Sequence, residues 1–170
     1  MLRAALILTA TTLFAGCALS PQMINVTPKA DVEAANIGQN QPVQVIAVDS
    51  RDQSAFGTRG GVYKNTALVR PANDVKSAIE DAIRKGLQTQ GFNAFNPGEN
   101  ATRLEVRLEQ LDYVPEEGSV VNEVTLTLTL LAEASRGDML HTGTYKSSVV
   151  HDLPLTPSAS RNQQMVNDIL

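Results

Sequence analysis

The stretch from Val124 to Ala132 constrains the fold of this chain more than any other part of the sequence. Its apolar residues stand at every second position, and threonines occupy positions 125, 127 and 129 between them. An alternation with a period of two residues is typical of a β-strand that buries one face. The stretch therefore predicts a half-buried strand whose threonine face meets water or a partner.

Further strand signals lie on both sides of this stretch. Val43 to Val48 is rich in β-branched residues and apolar on both faces, which indicates a buried central strand. Between Leu104 and Leu108, apolar residues alternate with arginine and glutamate, so we expect a half-buried strand with a charged outer face. Weaker strand signals are Val62–Tyr63, Ala67–Val69, Phe92–Phe95 and Gly143–Val150, with a loop at Pro115–Gly118 and a turn at Arg136–Asp138.

The clearest helix pattern runs from Val75 to Leu87. Apolar residues recur there at helical spacing on one face, and acidic residues stand four positions before basic ones on the other. Asn73 is the expected N-cap, and Gly91 is the expected stop after the last turn. The pattern predicts one amphipathic helix that packs on the sheet.

A second helix is predicted at the end of the chain. Ser160 and Gln163 form an S-x-x-Q capping box before apolar residues that recur up to Leu170. No C-cap signal follows, so either the chain is cut short or the helix end frays. The order of elements predicts an α+β two-layer sandwich, whose mixed sheet combines one β-α-β crossover with an antiparallel meander and a C-terminal helix.

The first residues indicate an exported protein with a lipid anchor. An apolar run follows Arg3, and Ala15–Gly16 precede Cys17, the only cysteine of the chain. The run is shorter than the about 20 residues that span a bilayer. An ordinary signal peptide with an incidental cysteine is the alternative, but a lone exported cysteine has no intramolecular disulfide partner. We therefore predict that residues 1–16 are a lipoprotein signal peptide and that Cys17 carries the lipid.

The remaining chain is expected to hold one domain on a tether. Residues 17–41, interrupted by Pro21 and Pro28, are interpreted as the lipidated cysteine and a flexible linker, and residues 42–170 as a single α+β domain facing the periplasm. The net charge of −4 gives no electrostatic footprint for nucleic acid. No phosphate-binding glycine motif is present, and we predict neither cofactor nor metal.

These features together resemble the YajG-type lipoproteins of Gram-negative bacteria, over nearly the whole mature chain. The resemblance begins with the lipobox, the segment Leu13–Cys17 that ends at the lipidated cysteine. It continues with the strand Val45–Asp49 and the Arg51 after it, the segment Gly57–Arg59, the helix end Leu87–Phe92 and the strand Leu104–Leu111. It implies a small periplasm-facing lipoprotein of uncharacterised role, and it brings no catalytic residues. Members of the family continue a little past this chain's end. Resemblance to lipoproteins also implies sorting to the outer membrane, since Ala18 rather than aspartate follows Cys17.

The loop from Arg51 to Gly61 is the candidate ligand site. It leaves the C-terminal end of the first strand, where open sheets in α/β proteins bind ligands. Arg51, Thr58 and Arg59 form an anion site there if the start of the first helix lies nearby. In the alternative interpretation, the arginines pair with acidic neighbours such as Asp49, and the glycines only turn the chain.

Other chemistry has weaker support in the sequence. His141 and His151 flank the last strand, and a zinc site needs more ligands than these two. A hydrolase requires a nucleophile motif that the sequence lacks. The edge of the strand Gly143–Val150 has no proline and is a candidate for accepting a partner strand, unless the linker or the final helix covers it.

The leading hypothesis is a membrane-anchored outer-membrane lipoprotein whose non-enzymatic domain binds an envelope protein or component in the periplasm. The alternative is a binder of a small anionic envelope ligand, such as a cell-wall fragment, through the loop Arg51–Gly61. A hydrolase is a third class, and it requires a cleft that holds a nucleophile and a base.

The lipid anchor gives the first testable prediction. Protein purified from membranes should carry a diacylglyceryl-sized mass addition at Cys17, and Cys17→Ala should release the chain from the membrane, because the acyl chains supply about 0.8 kcal/mol per buried methylene. Intact-mass spectrometry and membrane fractionation measure both effects. A mature chain that begins elsewhere and carries a free thiol would contradict the prediction.

Overall fold

The computed structural model describes residues 20–116, 122–153 and 157–170. The predicted signal peptide and Cys17 lie outside these residues. The strands are β1 Gln22–Ile24, β2 Val43–Asp49, β3 Gly57–Thr58, β4 Leu68–Pro71, β5 Thr102–Glu116, β6 Asn122–Arg136 and β7 Met139–Leu153, and the helices are α1 Val75–Thr89 and α2 Ala159–Ile169. They form a mixed seven-stranded sheet with both helices packed against one face. The predicted α+β fold with a C-terminal helix is therefore confirmed.

The strand β5 organises the sheet, whose order is β1-β4-β3-β5-β6-β7 with β2 beside β5 as well. One edge of β5 pairs with β6, and its other edge is shared. Residues 102–108 pair in parallel with β2, and Tyr113 pairs in parallel with Gly57 of β3. A bulge between Leu108 and Gln110 lies where the partner changes. The connection from β2 through α1 to β5 is the predicted β-α-β crossover.

The core lies between the sheet and the two helices. Its fully buried apolar residues include Leu108, Leu111 and Tyr113 of β5, Val124 and Leu126 of β6, Ile79 of α1 and Met165 and Val166 of α2. Burying each leucine- or valine-sized side chain contributes about 1.5–3 kcal/mol. The opposite face carries the charge ladder of β5, in which Glu105 binds Arg103 and Arg107, each at 2.6 Å. The alternation therefore places the apolar and charged faces as the sequence predicts.

The first helix begins one residue later than expected. Asp74 is its N-cap, with Oδ2 accepting from the backbone amide of Ser77 at 3.3 Å. Asn73 instead binds both backbone groups of Val26, each at 2.8 Å. An amide side chain both donates and accepts hydrogen bonds, so Asn73 can bind the backbone N–H and the C=O of Val26 at once. An ionised carboxylate only accepts and cannot bind both. The predicted stop is confirmed, because Gly91 adopts a φ of +84° directly after the cap.

The second helix begins two residues earlier than its predicted capping box. Ser158 is the N-cap, and its Oγ accepts from the backbone amide of Arg161 at 3.2 Å. Ser160 lies inside the first turn and shares a hydroxyl hydrogen bond with Ser158. Both serines suit the cap by residue type, and the local pattern does not distinguish them.

Much of the segment expected to be a flexible linker is part of the folded domain. Strand β1 pairs in parallel with β4, and Ile24 and Val26 are fully buried. Further along, the amides of Gly38 and Asn40 donate to carbonyls after α1, at 2.9 and 2.7 Å. Two apolar residues spaced two positions apart are too short a signal to predict a strand, and their burial depends on the gap left between the sheet and α2.

Several weak strand predictions are corrected. Phe92–Phe95 contributes only one bridge, between Asn93 and Pro42, and Val62–Tyr63 lies in an exposed turn. The pairing that was expected there is made instead by β3 and β4. Pro115 and Glu116 continue β5 opposite Val124 and Glu123 rather than opening a loop, and residues 117 and 118 of the expected loop lie outside the described residues. The long ladder with β6 holds these residues extended.

Gly57 gives a test of the edge of β5 that β2 and β3 share. A Cβ at this position would lie 1.9 Å from the carbonyl oxygen of Tyr113. Because the obstacle is backbone, Gly57→Ala should separate β3 from β5 and lower the free energy of unfolding by about 3 kcal/mol. Urea unfolding followed by circular dichroism measures the loss.

Gly143→Ala is the matched control. Its added Cβ meets only the side chain of Tyr145, at 3.3 Å, and that side chain is exposed and can turn away. The change should cost less than about 0.5 kcal/mol. Equal stability of the two variants would contradict the close approach at Gly57.

Candidate functional site

The loop between β2 and β3 covers the place where β5 changes partner. The chain leaves β5 at Ser50, whose amide donates to the carbonyl of Leu108, and returns at Phe56, whose carbonyl accepts from Tyr113. Between these contacts the loop lines a cavity of about 350 Å³ that is open to solvent. The polar side chains that line it belong to Arg51, Asp52, Gln53, Glu109, Gln110 and Asp112.

Arg51 is held by its neighbour in the chain. Its Nε lies 2.8 Å from Oδ1 of Asp49, and its Nη2 lies 2.6 Å from Oδ2. The guanidinium also lies over the ring of Phe56, with its carbon 4.9 Å from the ring centroid. Only 7% of the Arg51 side chain is exposed. Its Nη1 is buried and has no hydrogen-bond partner among the described residues.

The pairing with Arg51 changes the pKa of the Asp49 carboxyl group. Burial pushes the pKa of Asp49 upward, but the hydrogen bonds and the charge of Arg51 outweigh that effect and hold the pKa below its usual value. Asp74 at the start of α1 acts on Asp49 as a like charge. The beginning of α1 therefore lies near the end of β2, which is the condition for the predicted anion site, but it presents a carboxylate there.

The other two predicted site residues bind parts of the protein. Thr58 donates through Oγ1 to the carbonyl of Lys64 at 2.7 Å, which closes the turn after β3. Arg59 donates through Nη2 to the carbonyl of Ser20 at 2.7 Å. The structure thus spreads Arg51, Thr58 and Arg59 along one loop, and each contacts protein atoms. Of the three, only Arg51 lines the cavity.

A buried polar network lies behind this loop. Tyr113 donates its hydroxyl to Oδ1 of Asn162 at 2.9 Å, and Nδ2 of Asn162 donates to Oε1 of Gln22. Burial raises the pKa of Tyr113 to about 12, although the bond to Asn162 and the charge of Arg59 act in the opposite direction. Asn162 is not among the residues predicted from the sequence, where its only signal is a polar residue on the apolar face of the last helix.

The charges around the cavity do not favour a simple anion. Asp49 neutralises Arg51, while Asp52, Glu109 and Asp112 contribute three carboxylates to the lining. Among the described residues, no group of three or more His, Cys, Asp or Glu is placed to hold a metal ion. His141 and His151 both lie within β7, ten residues apart, which separates them by about 33 Å along an extended strand.

Strand β7 is the other candidate surface. It pairs with β6 along all 15 residues without a bulge. Its opposite edge has no partner strand within residues 20–116, 122–153 and 157–170. Leu153 is its one buried residue, and Met139, Leu140, Tyr145 and Val150 are more than half exposed. The predicted open edge is therefore present, and neither the segment before β2 nor α2 covers most of it.

The predicted lipoprotein signal and the α+β domain that follows it together indicate the class of small lipoproteins. The chain belongs to the YajG-type family of uncharacterized lipoproteins, whose family model matches residues 28–170. The predicted family is thereby confirmed, and membership implies membrane anchoring. Within the described residues, neither helix is long and apolar enough to cross a bilayer.

Two solved structures resemble the fold. An uncharacterized protein matches with a TM-score of 0.51 and 8% identity, over 88% of this chain and 90% of that chain. Protein XCC0632 from Xanthomonas campestris matches with a TM-score of 0.48 and 12% identity, over 88% of each chain. At these identities the first likeness concerns the fold alone. No curated protein sequence matches this chain.

The pair of Asp49 and Arg51 gives a prediction about pH. Asp49→Asn leaves the nearly buried guanidinium without a counter-charge and should destabilise the domain by about 1–3 kcal/mol at pH 7. Because the folded-state pKa of Asp49 is lowered, its contribution is complete above the unfolded pKa of about 3.9 and is lost as the pH falls through the folded value. Urea unfolding from about pH 7 to pH 2 should show the two proteins converging.

The control for this experiment is Asp81→Asn. Asp81 is 62% exposed and lies 3.8 Å from Arg84, so its loss should cost less than about 0.5 kcal/mol. A penalty for Asp49→Asn that stays constant across the pH range would show that the charge of Asp49 is not its cause.

Proposed function

We propose that this protein is a lipid-anchored lipoprotein of the outer membrane whose non-catalytic, periplasm-facing domain binds an envelope protein by strand addition to β7. The observation that carries this proposal is the open edge of β7. The anchor is the predicted lipid on Cys17, and the outer-membrane destination rests on Ala18 after it.

An open edge of this length is unusual in a protein that stays alone. Folded proteins protect edge strands by keeping them short, by bulges, by proline or by several charges. β7 has 15 residues in unbroken register, no proline, and a single lysine near its middle. Every second residue of β7 presents its backbone N–H and C=O groups at the free edge, where an added strand can pair with them. These features support a partner that completes the sheet.

The two faces of β7 support the same kind of partner. Leu140 and Val150 are exposed on the threonine face, and Tyr145 and Val149 are exposed on the face that carries the helices. An added strand would cover part of all four side chains in addition to forming main-chain hydrogen bonds. Main-chain hydrogen bonds only exchange for hydrogen bonds to water, whereas burial of apolar side chains on both faces adds binding free energy for an extended polypeptide.

The alternative function is binding of a small anionic envelope fragment at the loop Arg51–Gly61. Its support is the buried Nη1 of Arg51, which lacks a hydrogen-bond partner among the described residues, beside a cavity of about 350 Å³. Against it stand the pairing of Arg51 with Asp49 and the three carboxylates of the lining. Strand addition at β7 is therefore the stronger proposal.

Photo-cross-linking in intact cells tests strand addition. A photoreactive amino acid at Thr142, Tyr145 or Ser148 should give adducts of one common mass, because an added strand contacts β7 along its length. The same group at the exposed Asp81 on α1 is the control and should give none of this product. Absence of adducts at all three β7 positions would overturn the proposal.

A backbone change tests whether the contact uses the strand edge. Along β7, backbone N–H groups point alternately to β6 and to the free edge. One of Ser147→Pro and Ser148→Pro therefore leaves the pairing with β6 intact while removing an outward N–H group. The variant that keeps wild-type thermal stability should lose at least about ninefold in adduct yield, equivalent to about 1.3 kcal/mol of lost pairing. Undiminished adducts would point to a side-chain contact instead.

A further inference from the structure

We infer that the strand added to β7 comes from a second copy of this chain, paired antiparallel about a two-fold axis at Tyr145. This inference rests on the proposed function in its use of the β7 edge, and it names the partner. The result joins two seven-stranded sheets into one continuous sheet, with the helices of both copies on the same side.

Symmetry leaves few ways to make this pairing. In an antiparallel ladder, directly opposite residues point to the same face of the sheet. The threonine face of β7 carries the even-numbered residues, and the helix face carries the odd-numbered ones. A two-fold axis perpendicular to the sheet preserves these faces, so it must lie midway between one residue of β7 and the same residue of the partner subunit, and a position level with the bond between two residues is excluded. The register is thus fixed by naming the residue on the axis.

Tyr145 on the axis gives the most complementary set of neighbours. It places Tyr145 opposite Tyr145 of the partner subunit, a favourable aromatic cross-strand pair. The remaining pairs within β7 join Met139 with His151, Leu140 with Val150, His141 with Val149, Thr142 with Ser148, Gly143 with Ser147, and Thr144 with Lys146. Each occurs twice by symmetry. Leu140 and Val150 are 63% and 57% exposed in the single chain, and each covers the other in this arrangement.

The neighbouring registers are poorer. Lys146 on the axis sets two ammonium groups directly opposite each other, which is destabilising. Thr144 on the axis places Leu140 opposite Ser148 and leaves Val150 opposite the hairpin turn. Ser147 on the axis moves Leu140 beyond the end of β7. Only the Tyr145 register pairs both exposed aliphatic side chains of the threonine face with each other.

The position of the anchor is compatible with this dimer. The described chain enters the domain at Ser20, beside Arg59, and β1 lies at the opposite end of the sheet from β7. The start of the described chain, which leads to Cys17, therefore lies away from the paired edge. Two copies held on one membrane surface also meet at a raised effective concentration, which favours a contact between edges of modest area.

Cysteine cross-linking in the full-length, membrane-bound protein tests the register. Tyr145→Cys should form a disulfide-linked dimer under mild oxidation. Leu140→Cys and Val150→Cys should each fail alone, because like positions lie about 33 Å apart in the dimer, and should cross-link when the two variants are produced together. Hydrogen-bonded and non-hydrogen-bonded pairs alternate along the ladder, and the side chains lie closer together in the non-hydrogen-bonded pairs. The Tyr145 pair and the Leu140–Val150 pair are of opposite type, so one of them has the shorter Cβ–Cβ distance that a direct disulfide needs. A short thiol-reactive cross-linker joins the cysteine pair with the longer Cβ–Cβ distance.

Asp81→Cys on the exposed face of α1 is the control for random collision and should remain monomeric. Val150→Glu should weaken the dimer about tenfold in dissociation constant, since it introduces an unpaired charge twice. Adding Leu140→Lys should restore the dimer by pairing the two charges across the axis. This rescue is specific to the Tyr145 register.

The outcomes separate this inference from the proposed function. Failure of both cysteine sets, with photo-adducts on β7 that contain a different protein, would overturn self-pairing and leave strand addition standing. Failure of both cysteine sets without any β7 adduct would overturn both. A dimer that cross-links at Asp81 as readily as at Tyr145 would show that association does not use the edge.

Discussion

The arrangement of this domain depends on one strand, β5, whose edge is divided between two partners. The long antiparallel ladder with β6 fixes β5 along its whole length, and the opposite edge then receives β2 at residues 102–108 and β3 at Tyr113. No single strand fills that edge, so the chain must leave the sheet after Asp49 and return at Gly57. The loop with Arg51, the bulge before Gln110 and the cavity between them all follow from this division.

Polar contacts hold the divided edge together where packing alone would not. Arg51 is fixed by Asp49 and Phe56 on one side of the gap, while Tyr113 and Asn162 join β5 to α2 behind it. A buried hydroxyl or amide is costly without a partner, so these bonds specify how the helix sits on the sheet as well as stabilising it. Arg51, Thr58 and Arg59 thus contact protein atoms, while the outer edge of β7 has no partner strand among the described residues.

The two ends of the sheet differ in the length of the strand that each exposes. At the first end, β1 is short and the chain arrives from the anchor. At the other, β7 extends for 15 residues with exposed apolar groups on both faces. Because Ser20 stands shortly before β1, the side of the domain that leads to Cys17 lies at the other end of the sheet from β7.

Local patterns in the sequence determined the strong elements. The period of two in β5 and β6, the 3.6-residue period of α1 and the glycine after it depend only on neighbouring residues, and all are present in the structure. The N-terminal signal and the family resemblance are also local in this sense. Tertiary structure alone decided which weak segments become strands: β1 is ordered because Ile24 and Val26 fill a gap beside α2, while Phe92–Phe95 finds only one bridge. It also decided the partners of Arg51, Thr58 and Arg59, and the burial of Asn162, because hydrogen bonds between residues distant in sequence form only after the sheet has brought them together.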